Sequence, residues 1–279
     1  MSADTILQAR KLVKSFGTGD SAVHAVNDVS LDINRGEMVL IMGPSGSGKT
    51  TLLSMLGTLL APSSGDITID GSDTALLDEA SMAALRAHKI GFIFQSFNLL
   101  EALTVEENIL FPARLSNGGI RAASNRLNSI LSRLGLEERR HALPNTLSGG
   151  EKQRVAIGRA LINQPPIILA DEPTGNLDSH MGQEVMMILH SIARDENCAV
   201  LMVTHDPRVE EIADRILWLE DGMLRDRKSE QHDWVQDPVC GMRVDAWTAT
   251  MATEYKGKKY VFCSDTCLDS FKKEPGRYV

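Results

Sequence analysis

Gly43-Pro44-Ser45-Gly46-Ser47-Gly48-Lys49-Thr50 decides how this chain folds. The stretch follows a short apolar run, EMVLIM (37–42). It opens GKTTLLSMLGTLL (48–60), where apolar residues recur every three or four positions. The order is therefore strand, glycine-rich loop, helix. The glycines let the backbone wrap until several N–H groups point at one anion, and the helix behind adds its positive end. In that setting Lys49 reaches the β- and γ-phosphates of a nucleotide. Thr50 holds Mg2+, with Thr51 beside it in the first helical turn.

Working outward, PPIILA (165–170), NCAVLMVTHD (197–206) and DRILWLEDG (214–222) read as further buried strands, and IGFIF (90–94) ends at a strand terminus. EALTVEENILFPARL (101–115) and SNRLNSILSRLGL (124–136) read as helices. Such alternation gives an α/β fold, a mostly parallel sheet interrupted by a helical insert. The 279 residues, 43% hydrophobic, suffice for a real core. The net charge of −8 argues against a nucleic-acid binder. No apolar run approaches the roughly 20 residues a membrane span needs, and the first residues lack a signal peptide's apolar centre, so a cytosolic location is expected.

The strand ends carry chemistry. IILADE places Asp171 and Glu172 at a carboxyl end, where ligands collect in open α/β sheets. Asp171 suits Mg2+, and Glu172 suits the polarisation of an attacking water. His205, at the next strand end, is placed to bond the γ-phosphate and orient that water. Gln95 is placed to reach Mg2+ or the water and to relay their presence to the helical insert. LSGGEKQR (147–154) is a Ser148-Gly149-Gly150 turn feeding a helix, and so a second anion site. Two such sites in one chain do not easily share one γ-phosphate. Two chains facing head to tail do.

With GPSGSGKT, Gln95, LSGGE, IILADEPTGNLD and His205 in this order, residues 5–225 resemble the ATP-binding-cassette ATPases. The resemblance implies that Phe16, in KSFG, stacks on adenine and that Asp178 lies in a loop touching the partner subunit. It implies that FNLLEALTVEENI (97–109) meets a membrane subunit. FQSFNLL, TVEENI and LADEPTGNLD are most similar to the lipoprotein-release, macrolide-export and glycolipid-export branch. That implies an ATP-dependent head-to-tail homodimer on the inner face of the cell membrane, bound to a separate permease and, through it, to a periplasmic adaptor. The alternatives are a soluble ATP switch in metal stress without transport, and a metal-handling protein whose ATP site is vestigial.

Three of the four cysteines fall after residue 239, as C-x22-C-x3-C: Cys240, Cys263 and Cys267. In a cytosolic chain clustered thiols point to metal or redox chemistry before disulfides. TEYKGKKYVFC (253–263) reads as a hairpin, and SDTCLDSFKKE (264–274) as a helix capped by Ser264 or Asp265. A helix N-terminus lowers a thiol pKa, which would favour thiolates here. The tail resembles the YHS domain through DPVCGMRVD, YKGKKYVFCSDTC, Phe271 and PGRY. Three thiolates suit Zn2+ or Cu(I), and for Zn2+ no fourth ligand stands out. An inert cysteine-bearing core is the competing reading. Cys198, at the start of an apolar strand, reads as a buried thiol. The expected organisation is an ATPase domain at 1–226 with the helical insert at about 96–160, a linker at 227–235 and a YHS-like domain at 236–279.

Overall fold

The computed structural model describes residues 4–17, 23–115, 120–226, 234–245, 249 and 251–278. They fall into two compact units, residues 1–226 and 227–279.

The larger unit runs β1 (Thr5–Phe16), β2 (Val23–Asn34), β3 (Met38–Met42), α1 (Lys49–Leu56), β4 (Ser64–Ile69), β5 (Ser72–Asp73), α2 (Glu79–Lys89) and β6 (Ile90–Ile93). It continues through α3 (Val105–Leu115), α4 (Ile120–Arg133), α5 (Gly149–Leu161), β7 (Ile167–Asp171), α6 (Ser179–Asp195), β8 (Ala199–Val203), β9 (Arg215–Glu220) and β10 (Met223–Asp226). One sheet has the order β10-β9-β3-β8-β7-β6 and is parallel except for β10, which forms a hairpin with β9.

This sheet is covered on both faces, which is why its strands are unbroken apolar runs. Met38, Leu40 and Met42 of β3, with Val200 and Met202 of β8, face one core that also takes in Ile109, Leu127, Leu131 and Val155 from α3, α4 and α5. The alternate residues Val39, Ile41, Leu201 and Val203 face a second core containing Leu52 and Leu56 of α1. Full burial of each such side chain stabilises the fold by about 1.5–3 kcal/mol. A one-residue slip of β3 would exchange its two sets of partners.

The second core is closed by an antiparallel sheet, order β2-β1-β4-β5, through Ile6, Leu12, Val29 and Ile67. Nothing in the strand pattern read above anticipates this sheet. Two helices are also shorter than their apolar periodicity predicts. α1 stops at Leu56, because Gly57 caps it and Thr58 turns to φ +57°. α3 starts at Val105, because the Thr104 N–H and hydroxyl both donate to Glu107 Oε2, at 2.9 and 3.0 Å, and cap it there. No helix of the described residues is long and apolar enough to cross a membrane.

The smaller unit contains β11 (Trp234–Gln236) paired with β12 (Arg243–Asp245), the hairpin β13 (Ala252–Tyr255) and β14 (Lys258–Val261), and α7 (Asp265–Lys273). Its centre is Phe271, 1% exposed, with Tyr260 and Phe262 each 5.1 Å away between ring centroids and Tyr255 edge-on at 6.1 Å. Aromatic pairs of this kind add about 0.5–1.5 kcal/mol each beyond the area they bury. Ser264 is the cap of α7, its hydroxyl accepting the Cys267 N–H.

Candidate functional site

The loop after β3 is held by close backbone approach. A Cβ on Gly43 would lie 2.0 Å from the Leu219 carbonyl oxygen, and one on Gly48 2.0 Å from that of Ala25. Both positions have positive φ, so only glycine fits. The loop thereby delivers Ser45, Gly46, Gly48, Lys49, Thr50 and Thr51 to a cleft of about 560 Å3, whose other walls include Gln95, Glu172 and His205. Gly43, Pro44 and Ser47 are not among its lining residues; they shape the loop behind it.

Lys49 is buried, and its ammonium donates to the carbonyls of Gly43 and Pro44, each at 2.8 Å. Burial lowers its pKa, while the charges of Glu172 and Asp171 oppose that shift. The Thr50 hydroxyl donates to Asp171 Oδ1 at 3.1 Å. Burial raises the Asp171 carboxyl above its ordinary value, the Thr50 bond opposes this, and the Glu172 charge adds to it. Both residues offer oxygen donors, the kind Mg2+ selects.

Glu172 follows β7 with φ +45°, a conformation that costs a non-glycine residue energy and concentrates at functional sites. Its N–H donates to the Val203 carbonyl at 2.9 Å, which pins it beside β8. Its Oε1 accepts from His205 Nδ1 at 2.8 Å. Its Oε2 is buried and has no hydrogen-bond partner among the described residues. Gln95 is fixed through its backbone, whose carbonyl accepts from Asn176 Nδ2 at 2.7 Å.

The turn after Gln95 is strained twice over, with Phe97 at φ +61° and Asn98 at φ +49°. Arg159, inside α5, clamps both: its guanidinium donates to the Phe97 carbonyl at 2.7 Å and to that of Asn98. Sequence reasoning passes over Arg159 and Asn176. The available signal for Arg159 was an arginine within VAIGRAL (155–161), an otherwise apolar stretch of helix.

Ser148, Gly149 and Gly150 do not line the cleft of their own chain. Ser148 caps α5 in a reciprocal box: its hydroxyl accepts the Glu151 N–H at 3.3 Å, and Glu151 Oε2 accepts the Ser148 N–H at 2.7 Å. Asp178 caps α6, accepting the Met181 N–H at 2.9 Å. Phe16 is 47% exposed, with the Lys14 ammonium 5.5 Å from its ring centroid.

In the smaller unit the three distant cysteines do meet. Cys240 Sγ lies 3.5 Å from Cys263 Sγ, which lies 3.7 Å from Cys267 Sγ. Burial raises the thiols of Cys240 and Cys263, and the neighbouring Asp237 raises both further. Asp237 is fully buried; its Oδ1 accepts the Val239 N–H at 2.8 Å and its Oδ2 the Cys263 N–H at 2.9 Å. Burial alone would raise this carboxyl, but the Cys263 and Val239 N–H groups hold it below its ordinary value. Cys198 is 2% exposed, as expected of a core thiol, and burial pushes its pKa up to about 12.

Comparison with known proteins identifies relatives of both units. The ABC transporter family profile matches residues 26–175, and the YHS domain profile matches 235–279. The macrolide export ATP-binding/permease protein MacB of Bradyrhizobium diazoefficiens is 43% identical over 256 residues, 92% of this chain and 37% of that protein. MacB of Escherichia coli K12 is 46% identical over 219 residues, 78% of this chain and 34% of that protein. The chain thus spans little more than a third of the length of these curated relatives. Among solved structures, the dimeric post-hydrolysis state of the ATP-binding cassette MJ0796 with ADP and Pi superposes with a TM-score of 0.73 at 39% identity, covering 81% of this chain and all of that one. CbiO1 of Clostridium perfringens, part of the transporter complex CbiONQ, gives a TM-score of 0.71 at 28% identity, covering 80% of this chain and 87% of that one.

Proposed function

The chain belongs to the ABC transporter family, and we propose that it is the ATP-hydrolysing subunit that powers a separate membrane permease, in export or extraction from the envelope. The observation that carries the reading is the single cleft that gathers the phosphate loop, Gln95, Glu172 and His205.

The chemistry follows from the geometry. Loop N–H groups and Lys49 hold the β- and γ-phosphates, and the exposed Phe16 ring stacks on adenine. Thr50, Asp171 and Gln95 would hold Mg2+, which offsets phosphate charge when bound. A water adds to the γ-phosphorus as the bond to the ADP oxygen breaks. Its proton goes to the carboxylate of Glu172, which lines the cleft. Because Glu172 accepts at Nδ1 of His205, that nitrogen carries the proton and Nε2 is left for the nucleotide side.

The turn Ser148–Gly150 lies off its own chain's cleft, which supports a head-to-tail homodimer in which each α5 N-terminus closes the partner's nucleotide, with Asp178 at the same contact. A groove of about 400 Å3, lined in part by Phe94, Asn98, Pro112 and Arg159, adjoins the Gln95 turn and fits a helix of the permease. The chain then sits on the inner face of the cell membrane, and the permease links it to a periplasmic adaptor. In the tail, Cys240, Cys263 and Cys267 hold a thiophilic metal, Zn2+ or Cu(I), and tie the transporter to metal stress. The test is affinity purification from detergent-solubilised native membranes. A permease with few spans that raises ATP turnover is expected. A chain recovered only with soluble partners would sink the transport reading.

A further inference from the structure

Asp237 is a fully buried carboxylate beside three thiols in the smaller unit. The loop after β11 brings it there. The Asp237 N–H donates to the Met242 carbonyl at 2.7 Å, and the Asp237 carbonyl accepts the Gly241 N–H at 2.8 Å, closing a turn that carries Cys240 at its tip. Its two oxygens accept the Val239 and Cys263 N–H groups, so the carboxylate is aimed rather than loosely packed. No Lys, Arg or His among the described side chains pairs with it. The two N–H bonds use two of the roughly four acceptor positions of a carboxylate, and the Cys240 and Cys263 thiols lie against the rest, where an ion would take their place.

The donor geometry specifies the ion. One oxygen of Asp237 and the sulfurs of Cys240, Cys263 and Cys267 all lie within 4.8 Å of one another. A tetrahedron with metal–sulfur bonds of about 2.3 Å has sulfur–sulfur edges of about 3.8 Å. The observed separations of 3.5 and 3.7 Å fall just inside that value. Three sulfurs and one carboxylate oxygen form a mixed donor set. Cu(I) is soft and gains little from the oxygen, whereas hard cations such as Mg2+ and Ca2+ reject the thiolates. Zn2+ is borderline and takes both in a four-coordinate site.

We propose that Asp237 is the fourth ligand of a closed Cys3Asp site for Zn2+, completed by Cys240, Cys263 and Cys267. The proposal rests on the metal reading of the tail given above and sharpens it from a choice of two ions to one. With all four positions supplied by the protein, the site ties the Cys240 turn to the end of β14 and the first turn of α7, and leaves no position open for a substrate.

The experiment uses the full chain, reduced and stripped of metal, titrated with Zn2+ and with Cu(I) against chromophoric competitors. Wild type, Asp237→Asn and the variant with all three cysteines changed to Ser are compared. Wild type should take up one Zn2+. Asp237→Asn should weaken Zn2+ by roughly 100-fold or more, since even outer-shell partners are worth about 10–100-fold. Its Cu(I) affinity should stay within about threefold, because three thiolates suffice for that ion. If a folded Asp237→Asn loses both ions equally, or neither, Asp237 only shapes the turn and the proposal falls. If wild type takes up neither ion, the metal reading itself falls with it. Should Asp237→Asn fail to fold, a crystal structure of the zinc-loaded wild type decides. An Asp237 oxygen at about 2.0–2.2 Å from the ion is expected, and a water in its place overturns the assignment.

Discussion

Glu172 and His205, 33 residues apart in the chain, meet side chain to side chain at 2.8 Å across the ends of two neighbouring parallel strands. The bond fixes Oε1, orients the imidazole and leaves Oε2 as the only basic atom of Glu172 not already engaged among the described residues. In the proposed reaction the pair would divide the labour: one side chain would take the proton, and the other would hold the geometry.

Glu172→Gln should keep ATP binding and lower turnover by about 10²–10⁴-fold, the usual worth of a positioned general base. The variant should elute as a dimer in ATP and as a monomer in ADP. Phosphate release with size-exclusion chromatography checks both, and wild-type turnover would remove Glu172 from the role of base.

Ser148→Arg places bulk and positive charge at the N-terminus of α5, which is not part of the chain's own cleft. Hydrolysis should be lost while each chain still binds nucleotide with close to wild-type affinity. A fluorescent ATP analogue measures the binding. If the variant hydrolyses ATP normally as a monomer, the head-to-tail arrangement is wrong.

Arg159→Ala should uncouple the turn after Gln95 from α5. It removes two hydrogen bonds from a charged donor, each worth about 1.5–3 kcal/mol, from a turn with two residues in the left-handed region. The melting temperature should fall, and turnover should drop more than ATP affinity. Arg159→Lys, able to donate to one carbonyl or both but without the fork, should recover part of the turnover. Equal losses of affinity and turnover, unrescued by Lys, would make Arg159 a packing residue only.

Gly48→Ala and Gly46→Ala separate close approach from backbone strain. Both positions have positive φ, +97° and +79°, so each substitution carries about 1–2 kcal/mol of strain. Only at Gly48 would the new methyl also overlap a backbone oxygen, at 2.0 Å; at Gly46 it meets nothing within 4 Å. Nucleotide binding should be abolished in Gly48→Ala and only weakened in Gly46→Ala. Equal effects would mean that the loop can move away from Ala25.

The parts of this protein that were legible in its sequence are those where chemistry and period coincide. EMVLIM and PPIILA are buried on both faces, so an unbroken apolar run identifies them, and their ends place Lys49, Asp171 and Glu172 without further information. β1 and β2 escaped for a physical reason. Lys11 and Asp28 adopt φ +47° and +53°, and the register of the pair shifts between Ala9 and Leu12, so the two-residue alternation that marks a strand is broken. Arg159 and Asp237 escaped for another: each acts on residues far along the chain, 61–62 positions away for the Gln95 turn and 26 for Cys263, and only packing brings them there.

The reciprocal cap at α5 bears on timing. Glu151 presents its carboxylate to the Ser148 N–H, with Arg139 at 2.8 Å on its other oxygen. The helix end that would grip a second chain's γ-phosphate thus carries a negative charge of its own on the Ser148 N–H. In the proposed head-to-tail pair that carboxylate would lie beside the incoming phosphate and repel it, with Arg139 offsetting part of its charge. A grip with such repulsion built in would be weaker than one without it, and a subunit that works in cycles would have to let go in each of them.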